Sequence, residues 1–304
     1  MLLSEGRVRA LALMVAGIAI GAGVCRADAA DVFERTEAPA SELLQMPLED
    51  GQAILWHLFH SGFAVRTSDH LMIFDYWPVV SSASQRGGLA AGFIDPVEIQ
   101  DQNVIVFISH EHHDHWYRGS IDWEDKVKKI HYVVSPEVAD SDERFESRRG
   151  VVTVTPPDAV TKIGDLRVTT VQSTDSGVAF LVETGDLTIY HSGDHASWNW
   201  KNDPDAEEEF VNDLLKPIKD ARIDIAMHVA DPRLSASGWS GAVSFARKFR
   251  PALLVPMHAR GKYETYNRLA ATLASQAPLA VWRTRARGDS ILFSPHLASE
   301  APAP

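Results

Sequence analysis

Apolar residues come in short runs broken by polar turns along most of this chain. Ala53–Phe59, Phe63–Arg66 and Leu71–Phe74 are three such runs, parted by Ser61-Gly62 and Ser68-Asp69. Runs this short, rich in branched and aromatic side chains, predict strands. Asn103–Ser109 is a fourth, continuous enough to predict a strand buried on both faces. The same pattern marks Tyr132–Val134, Val151–Val154, Leu166–Gln172, Val178–Val182 and Leu187–Tyr190, with Glu183-Thr184-Gly185-Asp186 as a hairpin turn between the last two. Ile223–Met227, Leu253–His258, Val281–Thr284 and Ser290–Phe293 complete the strands. Helical spacing appears in Trp116–Ile130, Pro136–Arg144, Ala206–Leu215, Trp239–Phe249 and Lys262–Ser275, and residues 31–50 read as a polar lead-in with one helical turn. Strands, helices, strands, helices predict an α/β fold, a four-layer αββα sandwich. From Tyr76 to Ile94 glycine and proline replace periodicity, which predicts a long loop forming a wall or lid of a pocket.

One stretch interrupts this pattern with chemistry. His110-Glu111-His112-His113-Asp114-His115 follows the buried strand directly, and four imidazoles in six residues have no packing use. Alternate residues past a strand end point the same way, so His110 and His112 can converge on one point. Asp114 and His115 come after the chain has begun to turn and can reach a second point. Neutral imidazoles with a carboxylate are the ligand set of a borderline divalent cation such as zinc. Further along, Leu187–Tyr190 runs into His191-Ser192-Gly193-Asp194-His195, where one carboxylate can span two cations through its two oxygens. Leu253–Met257 runs into His258.

His-x-His-x-Asp-His after a hydrophobic strand resembles the metal motif of the metallo-β-lactamase superfamily. The run Trp56–Phe63 with Met72-Ile73-Phe74-Asp75 resembles that superfamily's opening strands. The His-Ser-Gly and Pro-Met-His signatures are similar to those of the branch containing L-ascorbate-6-phosphate lactonase, and more generally to the fold of N-acyl phosphatidylethanolamine phospholipase D. The resemblance covers nearly the whole chain after the N-terminal segment. It implies one metal at His110 and His112, another at Asp114, His115 and His258, and Asp194 bridging them, with Asp114 also orienting the nucleophile. It places Asp75 behind the ligands as support. His60 either faces the site or is bonded to backbone, and His191 and His195 flank it. The family's third imidazole for the first metal falls here within Ser173-Thr174-Asp175, so Asp175 or a water would have to replace it. More oxygen in that site shifts preference from zinc toward manganese.

A bound divalent cation brings the pKa of water to about 7, and two cations about 3.5–4 Å apart can hold and polarise together. The resemblance therefore implies a metal-dependent hydrolase, with one or two ions of Zn2+ or Mn2+, acting on a small-molecule ester, lactone or phosphodiester. Trp116, Trp198, Trp200 and Trp239 stand near the motif ends as candidate pocket walls, and Arg233 as a partner for an anionic substrate or a structural ion pair. Two other classes compete. One is a metal- or ligand-binding protein on the same fold without turnover; the other is an iron-dependent redox enzyme of the superfamily.

Charge and cysteine narrow the setting. The formal charge of −12 makes a nucleic-acid partner unexpected. Arg7 and Arg9 precede an apolar run from Ala10 to Val24, then Ala27-Asp28-Ala29 offers a small-x-small cleavage site. That is the shape of a secretory signal over residues 1–29, leaving a single domain over 30–304 in the periplasm or outside the cell, without stable membrane insertion. The competing reading is an uncleaved anchor. Cys25 is the one cysteine, and Val24 stands where a lipobox wants a small residue. Once the segment is removed no thiolate remains, so any metal rests on His, Asp or Glu. Intact-mass analysis should find a mature chain beginning near Ala30 in the periplasmic or secreted fraction; full-length protein in the cytoplasm contradicts the reading.

Overall fold

The computed structural model describes residues 32–79, 87–148, 150–198, 204–237 and 239–295. The expected signal segment, Trp200 and the Ala/Pro tail beyond Pro295 lie outside the described residues, and so does part of the expected lid loop. No helix among the described residues is long and apolar enough to cross a membrane.

The first part of the chain supplies strands β1 (Phe33–Arg35), β2 (Ala53–Phe59), β3 (Gly62–Arg66), β4 (Leu71–Phe74), β5 (Asn103–Ile108), β6 (Lys129–Val134) and β7 (Val152–Val154). The second supplies β8 (Val160–Ile163), β9 (Leu166–Gln172), β10 (Val178–Thr184), β11 (Leu187–His191), β12 (Ile225–Val229), β13 (Leu253–Met257), β14 (Ala280–Val281) and β15 (Ser290–Phe293). Among the described residues they form two sheets, in the orders β1-β15-β2-β3-β4-β5-β6-β7 and β14-β13-β12-β11-β10-β9-β8. Each sheet is antiparallel in one half and parallel in the other. β4 through β7 run parallel in the first, and β11 through β14 in the second.

β5 shows why the sequence folds into layers. Ile105 and Phe107 point to the core between the sheets, while Val104, Val106 and Ile108 point to the outer helices, so the strand is apolar throughout. Phe74 stacks on Phe107 at 4.7 Å, and Phe107 meets Phe180 of the other sheet at 5.3 Å. Truncating a ring buried like Phe107 costs about 3–5 kcal/mol. Helix α1 (Ala40–Leu43), a 3-10 segment over Arg118–Asp125, α2 (Pro136–Asp140) and α3 (Arg144–Ser147) cover the outer face of the first sheet. Helices α4 (Pro204–Leu214) and α5 (Ser240–Phe249) cover the second, where Phe245 and Phe249 pack on Leu181, Tyr190 and Ala226. α6 (Glu264–Gln276) sends Tyr266, Leu269 and Leu273 into the inter-sheet core. The four-layer α/β sandwich is therefore present.

Local expectations differ in places. Trp116–Ile130 holds only 3-10 turns, because β6 starts at Lys129 to match β5 residue for residue, from Asn103↔Lys129 to Ile108↔Val134. The helix expected over Pro136–Arg144 is split, since Ser141 donates to the Val138 carbonyl and Asp142 accepts from the Arg144 amide, two local bonds that turn the backbone. β1 and β8 carried no legible pattern: one is three residues long and the other is half-exposed at an edge.

Gly177 and Gly193 close the two sheets on each other. Gly177 has φ +65°, and a Cβ there would lie 2.0 Å from the Ser109 carbonyl oxygen; at Gly193, φ +51°, it would lie 2.9 Å from Ser109 Cβ. Gly164, φ +60°, has open space around it. Gly164→Ala should therefore cost only the left-handed backbone penalty, about 1–2 kcal/mol. Gly177→Ala should cost on the order of 2–4 kcal/mol, because the strand end carrying His110 must move as well. Urea unfolding of the two variants checks this; equal losses would show that close approach adds nothing.

Candidate metal centre

The parallel strands β4, β5, β11, β12 and β13 end at one edge of the sandwich, and each leads into a polar side chain there: Asp75, His110, Asp194, Asp231 and His258. The turn from β2 to β3 adds His60. This is the edge where open α/β sheets place their ligands. Backbone bonds stitch the two sheets together at this edge: Val178 N–H to Ser109 O at 3.1 Å, and His258 N–H to His60 O at 3.1 Å. Three residues here, His60, Asp75 and His258, hold positive φ of 53°, 41° and 73°. Each costs on the order of 1–3 kcal/mol, a concentration expected at a functional site.

The hydrogen bonds fix which ring nitrogens face the centre. Asp75 Oδ2 lies 2.7 Å from His115 Nδ1, so that nitrogen carries the proton and Nε2 is bare. Asp231 Oδ2 does the same for His258 Nδ1 at 2.9 Å. The Ser109 hydroxyl donates to Asp75 Oδ2 at 2.6 Å, leaving its oxygen to accept from His110 Nδ1 at 2.9 Å. The Nε2 atoms of His110, His115 and His258 are buried without a hydrogen-bond partner, as is Asp194 Oδ1. Yet Asp194 Oδ1 lies 3.1 Å from His115 Nε2 and 3.0 Å from His258 Nε2, and its Oδ2 lies 3.5 Å from His110 Nε2. Lone pairs of a carboxylate and two imidazoles facing each other in a buried site repel unless a proton or a metal cation lies among them, and the donor set of imidazoles and carboxylates fits a metal.

Two groups of ligand atoms come within 4.8 Å of one another around Asp194: His60, Asp114, His115 and His258 on one side, and His110, His112 and Asp194 on the other. A third such group, Asp75 with His110 and His115, consists of the supporting carboxylate and the rings it orients. Asp114 accepts from the Arg260 guanidinium and lies 3.4 Å from His60 Nε2.

Charge follows from this packing. Burial pushes Asp194 up, but His115 and His258 hold it well below the ordinary carboxylate range. Burial likewise depresses His115 and His258, and Asp194 more than offsets it, so both lie above the ordinary imidazole value. A proton and a metal thus compete for the same Nε2 atoms. His60 and His110, lowered to about 3 chiefly by burial, stay neutral and available as donors of a lone pair.

The structure brings His110, His112, Asp114, His115, Asp194 and His258 together, with His112 exposed at the rim and His113 turned outward over Trp77. His60 faces the site and is not bonded to backbone through its ring: neither nitrogen has a partner. His191 is committed elsewhere, donating from Nε2 to Ser61 O and accepting the Gly193 N–H at Nδ1, so it positions the turn and has no nitrogen left for a metal. Asp175 does not fill the missing place. It is exposed and outside every such group, because Thr174 is tied to the Ala196 backbone and turns the next residue outward. Of the candidate pocket tryptophans, Trp116 packs on Phe145 in the outer core and Trp239 donates to Asp231 O; Trp198 does reach the site, 5.7 Å from the His258 ring. The sequence reading passed over Asp231 and Trp77. Asp231 follows a strand and precedes a proline just as Asp75 follows β4, and that parallel was the available signal.

A sandwich of two mixed sheets with paired ligand sets at one edge is the metallo-β-lactamase fold. Residues 54–258, from the second strand to the last site histidine, match the beta-lactamase superfamily domain, and the chain belongs to that superfamily. It is similar to Igni18, a metallo hydrolase from the hyperthermophilic archaeon Ignicoccus hospitalis, with a TM-score of 0.54 and 16% identity over 80% of this chain and 99% of that one. It is also similar to CmlA, a diiron β-hydroxylase from Streptomyces venezuelae, with a TM-score of 0.50 and 12% identity over 78% of this chain and 53% of CmlA. At these identities the likeness is one of fold. No curated protein matches the sequence.

Asp231→Ala should reduce bound metal roughly 10- to 100-fold in affinity, since His258 loses the acceptor that fixes its tautomer. His258→Ala should abolish the second set, and His113→Ala should leave metal content unchanged. Elemental analysis of folded variants checks all three; full metal retention by His258→Ala would remove that residue from the centre.

Proposed function

We propose that this protein is a metal-dependent hydrolase acting on a small ester, lactone or phosphodiester. The observation that carries the reading is the set of buried, unpartnered ligand atoms, His110 Nε2, His115 Nε2, His258 Nε2 and Asp194 Oδ1, presented to one point. Divalent ions held there would lower the pKa of a bound water to about 7 and polarise the bond to be cut. Asp75, Ser109 and Asp231 keep the imidazoles in the ligating tautomer. Asp194 spans the two ligand sets. Asp114, buried in one ligand set, would orient the attacking water. Trp198 and Trp77 wall the centre against bulk water.

The two sets are unequal. Counting Asp194, one offers His60, Asp114, His115 and His258 with it, and the other only His110 and His112 with it. With Asp175 turned away, the His110–His112 set lacks a third imidazole and has only Asp194 beside its two rings, so an ion there would be held loosely and would exchange between zinc and manganese. The His-Ser-Gly and Pro-Met-His signatures support a place near the lactonase-like branch, and the N-terminal segment supports export. Iron-dependent oxidation is the competing reading, supported by the fold shared with CmlA.

Elemental analysis for zinc, manganese and iron before and after mild chelation should show one resistant ion and one easily lost, with Asp175→Ala indistinguishable from wild type. Acidification should release both, because protons take the Nε2 positions. Two equally resistant ions would refute the inequality. Metal-loaded protein that cleaves no ester, lactone or phosphodiester in a broad panel would refute the hydrolase.

A further inference from the structure

Beside His258 lies a cavity of about 240 Å3 whose rim carries Arg233, Arg260 and Lys262. We propose that it is a subsite for an anionic group of the substrate, a carboxylate or a phosphate. The word substrate rests on the hydrolytic reading; the anion site itself does not.

Three cations around one small cavity stand out in a chain of formal charge −12. Two of them are held in place from two sides. Arg233 is bound through Nε and Nη2 to Asp231, both at 2.9 Å, and its guanidinium carbon lies 5.1 Å from the centre of the Trp198 ring. Arg260 is bound through Nη2 to Asp114 and lies 5.7 Å from the Trp77 ring. Each carboxylate used in this way also touches the metal centre, so the two guanidinium groups are indexed to the ligands. A guanidinium has five N–H donors, and these pairings leave Arg233 with three, oriented before any ligand arrives. Ordering paid for in the free protein is not charged against binding. Lys262 is exposed and has no ion-pair partner among the described residues. The backbone is bent to make this rim: His258, Arg260 and Gly261 have φ of 73°, 47° and 79°, which turns the chain back over the centre immediately after its last ligand.

Asp231 and Asp114 do not cancel the rim's charge in the working protein. Asp231 also accepts from His258 Nδ1 at 2.9 Å, and Asp114 also lies 3.4 Å from His60 Nε2, so neither carboxylate is given over to its arginine alone. Asp231 lines the cavity as well, so its lining carries three cationic side chains against one carboxylate. An ester or lactone bearing an anionic group would dock that group here and bring its scissile bond to the adjacent centre.

The test is calorimetric titration of the zinc-loaded full chain with inorganic phosphate and with succinate, in wild type, Lys262→Gln, Lys262→Glu and Arg260→Gln. At least one anion should bind wild type, and its Kd should rise roughly tenfold in Lys262→Gln and further in Lys262→Glu, at unchanged zinc content. Phosphate binding alone or succinate binding alone assigns the class. If Arg260→Gln loses zinc through Asp114, the Lys262 pair decides. Neither anion binding, or equal affinity in wild type and Lys262→Glu, would overturn the proposal. Matched ester substrates with and without a carboxylate separate the two readings. Anion binding that depends on Lys262 without any turnover leaves the subsite standing and sinks the hydrolase. Turnover with no anion binding does the reverse.

Discussion

Everything at the working edge of this protein depends on keeping imidazole lone pairs bare inside a buried space. A buried ring nitrogen with no partner is unfavourable, and three of them close to one carboxylate are more so. The fold accepts this only because each ring is secured from behind. Asp75 serves His115 directly and His110 through Ser109, and Asp231 serves His258. Each supporting acid follows a strand of the same sheet as its histidine, so the tautomers are set within each sheet, and closing the sandwich brings the two braced sets together around Asp194. The Phe74–Phe107–Phe180 stack, the two glycines that let the sheets touch, and the backbone bonds between Ser109 and Val178 all serve that closure.

Much of this was legible because its causes are local. Chemistry that needs imidazoles must put histidines next to one another or at strand ends, and runs such as Asn103–Ile108 must be apolar on both faces. The sandwich, and the gathering of the six ligand candidates at one sheet edge, could therefore be read directly. What could not be read depends on distance through space. Asp231 acts on a histidine 27 positions away, Arg260 reaches Asp114 across 146, and nothing in the residues around either announces the partner. Trp77 sits in an aperiodic loop. The missing helix before β6 was a matter of competition: strand pairing along the full length of β5 outweighed helical spacing. Asp175 was a reasonable candidate by composition, and the bonds of Thr174 decided against it.

Asymmetry runs through the centre. One ligand set is rich, deep and braced by two carboxylates, and the other ends in an exposed His112. The cationic rim belongs to the rich side, because it grows from the loop that carries His258. The rich set draws on the turn from β2 to β3, the segment after β5 and the loop after β13, while the other set rests on the segment after β5 and Asp194 alone.

The seating of β15 has a consequence for how the chain comes into being. This strand, close to the end of the described residues, lies between β1 and β2, and β1 has no other partner in the sheet. As the polypeptide emerges from its N-terminus, β2 must wait with an open edge until nearly the whole length has been delivered. Contacts between residues more than two hundred positions apart are slow to form and leave strand edges exposed meanwhile. The first sheet is therefore finished last.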